Sequence, residues 1–298
     1  MGTYGVAIAP NRFACGFYRQ VWWSWLIGSA FFFGEIGAGL FLVSLLSDHW
    51  VGMAVGYLIV MVGKNTAHLL YLGRPERFWR AAMRPDRSWI ARGLWATGLL
   101  ATSGFVLLLP HMAGREWELG GWAGTLVYSL AVVSAVFIMF YDGFVMSFSP
   151  AIPFWHTKLL PLLCFTYAAL GGTTLSLALR ELLEQSLAQG SLLLRLEYTL
   201  LVTNLALLVI YVSRMSRWLP AARETARLLL RGAYAGAFLG LVVLVGLVAT
   251  LLLSLLHGRY PSTWVVISVA ACELTGDFAL LMVLLKSGLF SPQEMRVS

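Results

Sequence analysis

The chain has 298 residues, 59% of them hydrophobic and 12% charged, with a mean hydropathy of +0.78. Soluble domains run roughly 45–50% apolar and about 25% charged, so a soluble globular enzyme is excluded. The net charge of +7 is explained by membrane topology, so no nucleic-acid partner is implied.

Apolar runs recur along the whole length, and about 20 such residues cross a hydrocarbon core of roughly 30 Å. Lipid offers backbone groups no water, so these runs must be helices. Eight spans are predicted: Val21–Leu46, Gly52–Leu70, Leu94–Leu109, Ala123–Ser147, Leu159–Leu179, Tyr198–Leu219, Ala233–Leu256 and Ser262–Leu285. The first exceeds the roughly 7–15-residue core of a cleaved signal peptide and is expected to remain in the mature protein. The connections are too short for a soluble domain, so the catalytic centre of any redox enzyme would lie on other chains.

Span 1 carries "GEIGAGL", in which Gly34, Gly37 and Gly39 favour close helix packing and Glu35 is an ionisable group deep in the membrane. Span 2 ends in "KNTAHLLY". From its basic end, His68 lies within one turn, and Lys64 and Asn65 lie about 8–10 Å deep. Loop 2–3 follows with Arg74, and Pro75 suits the first turn of a helix that Pro85 ends. Its pattern puts Phe78, Trp79, Ala82 and Met83 on one face and Arg77, Arg80 and Arg84 on the other. That is either a lipid-binding interfacial helix or a docking surface for an acidic partner.

Span 4 brings Tyr141 and Asp142 to about 8 Å depth, level with Lys64. Loop 6–7 repeats the basic pattern with Arg223, Arg227 and Arg231. Span 7 opens on "GAYAGAFLG", where Gly232, Gly236 and Gly240 form two GxxxG steps expected to serve packing. Span 8 carries Asp277 at about 15 Å and Glu273 near 20 Å; Glu35 is also expected near 20 Å. Each ionisable group at the bilayer centre costs at least about 2.5–3.5 kcal/mol unless paired or facing a polar cavity. So many exceed what a passive anchor needs.

Lys64, Asn65, His68, Tyr71, Tyr141 and Asp142 therefore suggest a pocket near the basic face. Donors, acceptors and proton carriers there suit a quinone, whose tail remains in lipid. Glu35, Asp277 and Glu273 suggest a proton path inward. The alternatives are that His68 and Tyr71 are interfacial residues with satisfied hydrogen bonds, that Lys64 snorkels to the surface, and that Glu35, Glu273 and Asp277 only lock helices together. Cys15, Cys164 and Cys272 are isolated, without the grouping that iron–sulfur or c-type haem attachment needs. They read as small core residues, and no metal site is expected. Among the histidines only His68 lies clearly in a span; His156, His49, His111 and His257 sit at the edges. A di-haem anchor is therefore not expected.

An even number of spans puts both termini on one side with loops 2–3, 4–5 and 6–7. That side carries sixteen Arg and Lys residues, including six from Arg74 to Arg92 and five from Arg214 to Arg231. The other carries four: Arg115, Arg180, Arg195 and Arg259. The bias predicts cytoplasmic termini in a multi-pass inner-membrane protein.

Four stretches resemble the membrane subunits of polysulfide reductase and formate-dependent nitrite reductase, the NrfD/PsrC family. They are "GEIGAGLFL", "HLLYLGRPERFWR" with "SWIARG", "YDGFVMS" leading into "IPFWHTKLLPLL", and "ELTGDFALLMVLLKSGLF". The resemblance implies an all-α membrane protein of two four-helix bundles, residues 21–147 and 159–285, with a quinone site and no haem. It implies menaquinone as the quinone, and docking beside the site by a ferredoxin-like iron–sulfur subunit. That subunit would exchange electrons with a catalytic subunit, often a molybdopterin enzyme. Tyr141 resembles the family's quinone-site tyrosine, and Asn65, His68 or Tyr71 would correspond to its other polar residues. In many members the loop after span 2 faces the periplasm, whereas the arginine bias here puts it in the cytoplasm. The functional expectation is a quinone-reactive subunit of a respiratory oxidoreductase, with proton translocation. The competing class is a secondary transporter, which would show paired Gly/Pro-interrupted spans in its two halves.

Overall fold

The computed structural model describes residues 8–9, 12–14, 16–114, 120–183, 190–291 and 294–296. Among them are eight helices long and apolar enough to cross a membrane. They are α1 (Trp25–Leu46), α2 (Trp50–Tyr71), α3 (Trp89–Met112), α4 (Gly121–Ser147), α5 (Leu159–Leu182), α6 (Gly190–Met215), α7 (Gly236–Arg259) and α8 (Thr263–Ser287). Each predicted span has its counterpart, and the all-α membrane class is correct.

The boundaries moved for local reasons. α1 starts at Trp25, four residues later than expected, because Gln20 holds the preceding segment out of the helix. Its side chain accepts from the Trp23 N–H at 2.7 Å and donates to the Leu285 carbonyl at 3.0 Å. α3 starts early because the Ser88 hydroxyl caps it, accepting from the Ala91 N–H at 3.2 Å. α6 stops at Met215, short of the predicted Leu219, and Pro220 opens a separate helix, Pro220–Leu230.

α1 and α5 form the centre. Their most apolar stretches are 78% and 72% buried, against 28% for α2, α4, α6 and α7. A helix apolar all round, like α1, has no solvent face and belongs inside. α1 packs on α2, α4, α5 and α8, and α5 on α1, α4, α6 and α8, so this pair joins the first and second halves. The join is a backbone contact. A Cβ at Gly39 would collide with the Ala168 carbonyl, and one at Gly172 with the backbone of Gly39 and Leu40. Gly37 is similarly pressed against α2 at Gly56.

The expected role of Gly236 and Gly240 is corrected. A Cβ at either would meet no atom within 4 Å. The α7–α8 approach is made by Gly246 against Gly276 instead. α7 runs from Gly236 to Ala249 with wider, i→i+5 hydrogen bonding, which rotates its faces away from 3.6-residue counting.

The chain ends meet at the face that carries loops 2–3, 4–5 and 6–7. Tyr18–Arg19 pairs antiparallel with Leu289–Phe290, and Ile8–Ala9, Arg12–Ala14 and Glu294–Arg296 form a small sheet. Loop 4–5 is packed rather than loose. Phe154 and Trp155 are buried, the Trp155 indole donates to the Leu284 carbonyl at 3.0 Å, and the Tyr211 hydroxyl donates to the Phe154 carbonyl at 2.7 Å.

Gly172→Leu should lower the thermal stability of the detergent-purified protein by at least about 1–3 kcal/mol, the overpacking range. Gly240→Ala should leave it unchanged, and equal effects would show that the α1–α5 contact is not the tight one.

Candidate functional site

At the arginine-rich end of the membrane region, α2 and α4 bring the predicted residues together beside α1. Lys64 is buried, with its ammonium 5.2 Å from the centre of the Tyr141 ring. Asp142 is 1% exposed and within electrostatic reach of Lys64, although no ion pair forms between them. Phe31 of α1 stands edge-on to Tyr141 with ring centres 6.4 Å apart, and its ring is also 6.4 Å from His68. Two glycines make room. The Lys64 side chain passes a Cβ position at Gly34 at 3.1 Å, and the Tyr141 ring occupies the space a side chain at Gly93 would need. Gly93 closes the "SWIARG" stretch.

Not all the predicted residues join this group. The Asn65 amide donates to the Met61 carbonyl of its own helix at 3.0 Å. The Tyr71 hydroxyl donates to the Trp22 carbonyl at 3.2 Å, tying α2 to the chain before α1. His68 Nδ1 lies 3.1 Å from the Lys64 carbonyl. A carbonyl only accepts, so the proton sits on Nδ1, and Nε2 of the neutral ring is an acceptor. The i→i+5 widening of Ile59–Lys64 comes immediately before this cluster and turns Lys64 inward.

Further in, the carboxyl groups form a line. Glu35, Asp277 and Glu273 are each 1% exposed. Asp277 is within electrostatic reach of Glu35, Asp142 and Glu273. Because α1 starts at Trp25, Glu35 lies about 15 Å from the basic end, level with Asp277 rather than near 20 Å. Both oxygens of Glu35, Asp142, Glu273 and Asp277 lack a hydrogen-bond partner among the described residues. Such groups need a proton, a cation or ordered water to satisfy them.

Composition gave no sign of three further members. Cys164 faces Glu35 without a formed hydrogen bond, Tyr167 is close to Asp277 and Glu273, and Glu197 is close to Glu273. All three are buried. The usable signal was the spacing of Cys164, Tyr167, Gly171 and Thr174, which puts them on one stripe of α5. Among the described residues, no group of three His, Cys, Asp or Glu side chains is placed to hold a metal ion.

Loop 2–3 forms a tighter 3₁₀ helix, Pro75–Met83, none of it buried. With three residues per turn, Met83 falls in line with Arg77 and Arg80, and Arg84 lies beyond the helix. Arg92 is used structurally, donating to the Pro85 and Asp86 carbonyls at 2.8 and 3.0 Å. Arg74, Arg77, Arg80 and Arg84 remain exposed. The helix Pro220–Leu230 differs, since it buries its apolar side on the protein and leaves Arg223 and Arg227 outward.

The fold defines a multi-pass helical membrane protein with a buried line of ionisable groups inside it. The family model described as polysulphide reductase, NrfD, matches residues 15–292, and the chain belongs to that family. The family supplies membrane subunits of respiratory oxidoreductase complexes, which in general interact with quinones and with iron–sulfur and catalytic subunits. Comparison with curated proteins gives no match.

At the opposite end, His49 between α1 and α2 is 2% exposed, with neither ring nitrogen hydrogen-bonded among the described residues. Arg180 lies nearby, donating to the Ser47 carbonyl at 2.6 Å and to its hydroxyl at 3.0 Å. Burial, then this guanidinium, pushes the His49 pKa below its usual 6.5. The folded state therefore holds the neutral ring, while the unfolded chain takes up a proton below about pH 6.5. Stability should fall as pH drops through that value, and His49→Gln should shrink the loss of Tm between pH 7.5 and 5. An unchanged loss would show that other groups govern the acid transition.

Proposed function

We propose that this chain is the quinone-reactive membrane subunit of a multi-subunit respiratory oxidoreductase, exchanging electrons between the quinone pool and an iron–sulfur subunit. The observation that carries the reading is the cluster of Lys64, His68, Tyr141 and Asp142 about one to two turns inside the arginine-rich face. It offers two donors, the Lys64 ammonium and the Tyr141 hydroxyl, and two acceptors, His68 Nε2 and the Asp142 carboxyl. None of these four is engaged in a hydrogen bond among the described residues.

A quinone pair supplies two-electron chemistry accompanied by two protons. The donors suit carbonyl oxygens of the oxidised form, and the acceptors suit hydroxyl protons of the reduced form. Phe31 and the Tyr141 ring give the site apolar walls. Asn65 and Tyr71, bonded to backbone carbonyls, hold α2 in place rather than face the ring. Menaquinone is the quinone that the family resemblance favours.

Glu35, Asp277 and Glu273 then receive protons from Asp142, continuing inward without a paired counter-charge. Exposed Arg74, Arg77, Arg80 and Arg84 form the surface for an acidic face of a ferredoxin-like iron–sulfur subunit, beside the site. That subunit connects to a catalytic subunit, a molybdopterin enzyme by the same resemblance. The arginine bias supports placing this face in the cytoplasm, with the chain in the inner membrane.

Tyr141→Phe and Asp142→Asn should each cut quinol turnover by at least about 100-fold, the lower range for a lost proton-transfer group, with the complex still assembled. Wild-type turnover in both variants would remove the proposed pocket. Replacing Arg77, Arg80 and Arg84 together by Gln should release the iron–sulfur subunit during purification. Normal co-purification would make the Pro75–Met83 helix a lipid contact.

A further inference from the structure

The line of carboxyl groups does not continue straight along α8. One turn beyond Glu273 towards the arginine-poor end, the same stripe of α8 becomes Ala270 and then Val266. These belong to an apolar cluster with Val43, Leu177, Ala178 and Leu193, drawn from α1, α5 and α6. A proton reaching Glu273 therefore meets a dry plug ahead of it.

To the side lies Glu197 of α6, which is 1% exposed and within electrostatic reach of Glu273. The two acids share one stripe of α5. A Cβ at Gly171 would lie 3.4 Å from Glu273 Oε1, and one turn on, the Thr174 hydroxyl donates to Glu197 Oε1 at 2.9 Å. Three residues of helix rise about 4.5 Å, so the acids are bracketed by adjacent turns of one helix. The Ser254 hydroxyl of α7 donates to Glu197 Oε2. Tyr198, on the same helix as Glu197, donates to the Ser254 carbonyl at 3.0 Å.

Position along the helices supports an outlet. From the arginine-poor end, Glu273 is about 15 Å deep, Glu197 about 10 Å and Ser254 about 8 Å. His257 is one turn beyond Ser254, and its Nδ1 accepts from the Ser262 backbone N–H at 3.3 Å. Thus α5, α6, α7 and α8 each contribute one group to a side branch around the apolar plug: Thr174, Glu197, Ser254 and Glu273.

We infer that Glu197, held between the Thr174 and Ser254 hydroxyls, is the proton-exchange site that connects the buried carboxyl line to the arginine-poor face of the membrane. The inference rests on the proton path from Asp142 through Glu35, Asp277 and Glu273. Each proton passed to Glu197 from Glu273 displaces one towards Ser254 and the rim, so charge does not accumulate inside. A purely packing role for Glu197 would be met by glutamine, which has the same shape and still accepts a hydroxyl hydrogen bond, but carries no exchangeable acid proton.

The test uses the whole complex in proteoliposomes, reading protons released at the arginine-poor face per electron transferred. Assembly is checked by co-purification. In Glu197→Gln the ratio should fall at least tenfold, in Glu197→Asp it should recover most of the wild-type value, and in Ser254→Ala it should fall severalfold. A wild-type ratio in Glu197→Gln, with Glu273→Gln inactive in release, would overturn the assignment of Glu197 while leaving the path intact. No release at that face from the wild-type complex would overturn the path and this branch together.

Discussion

The close crossing of α1 and α5, where the backbones touch at Gly39 and Gly172, constrains where the buried carboxyl groups on either side of it can sit. Ionisable side chains in a bilayer must turn inward, because lipid offers them neither water nor partners. A tight central pair leaves only narrow faces on either side of the crossing. Glu35 and Cys164, which face each other, lie on the basic side of the crossing, and Thr174 lies beyond it on the same stripe of α5. α2 and α4 then close over the basic end of this interior with Lys64, Tyr141 and Asp142, and α8 and α6 over the remainder with Asp277, Glu273 and Glu197. The result is a set of buried polar groups held among apolar helices.

Much of this was legible in the sequence. Apolar length located the eight spans, and the rule that buried charges face inward picked out Glu35, Lys64, Asp142, Glu273 and Asp277. Three things were hidden, each for a physical reason. Widened hydrogen bonding in α2 and α7 altered the helical faces, so the GxxxG reading at Gly236 and Gly240 failed while Gly246 made the real contact. The Gln20 hydrogen bonds shortened α1 at its start and raised Glu35 to the level of Asp277. Glu197 fell just outside the predicted sixth span, which was expected to begin at Tyr198; the helix begins at Gly190 and carries it inside. Cys164 and Tyr167 look like ordinary core residues until the neighbouring helices are placed beside them.

The two basic segments look alike in sequence and differ in structure. Pro220–Leu230 has its apolar side occupied by the protein, which accounts for that helix without a partner. Pro75–Met83 buries nothing, and Phe78, Trp79 and Met83 stay exposed next to the arginines. These uncovered apolar and arginine side chains support the docking role proposed for this helix.

The most direct measurement of the central claim is to purify this subunit from native membranes in mild detergent and assay iron and quinone in what accompanies it. A quinone-reactive subunit of a larger oxidoreductase should bring an iron–sulfur protein, a catalytic subunit and about one quinone per complex. A solitary protein, free of iron and quinone, would contradict the account and turn the buried carboxyl line into an ion-coupling site of a transporter.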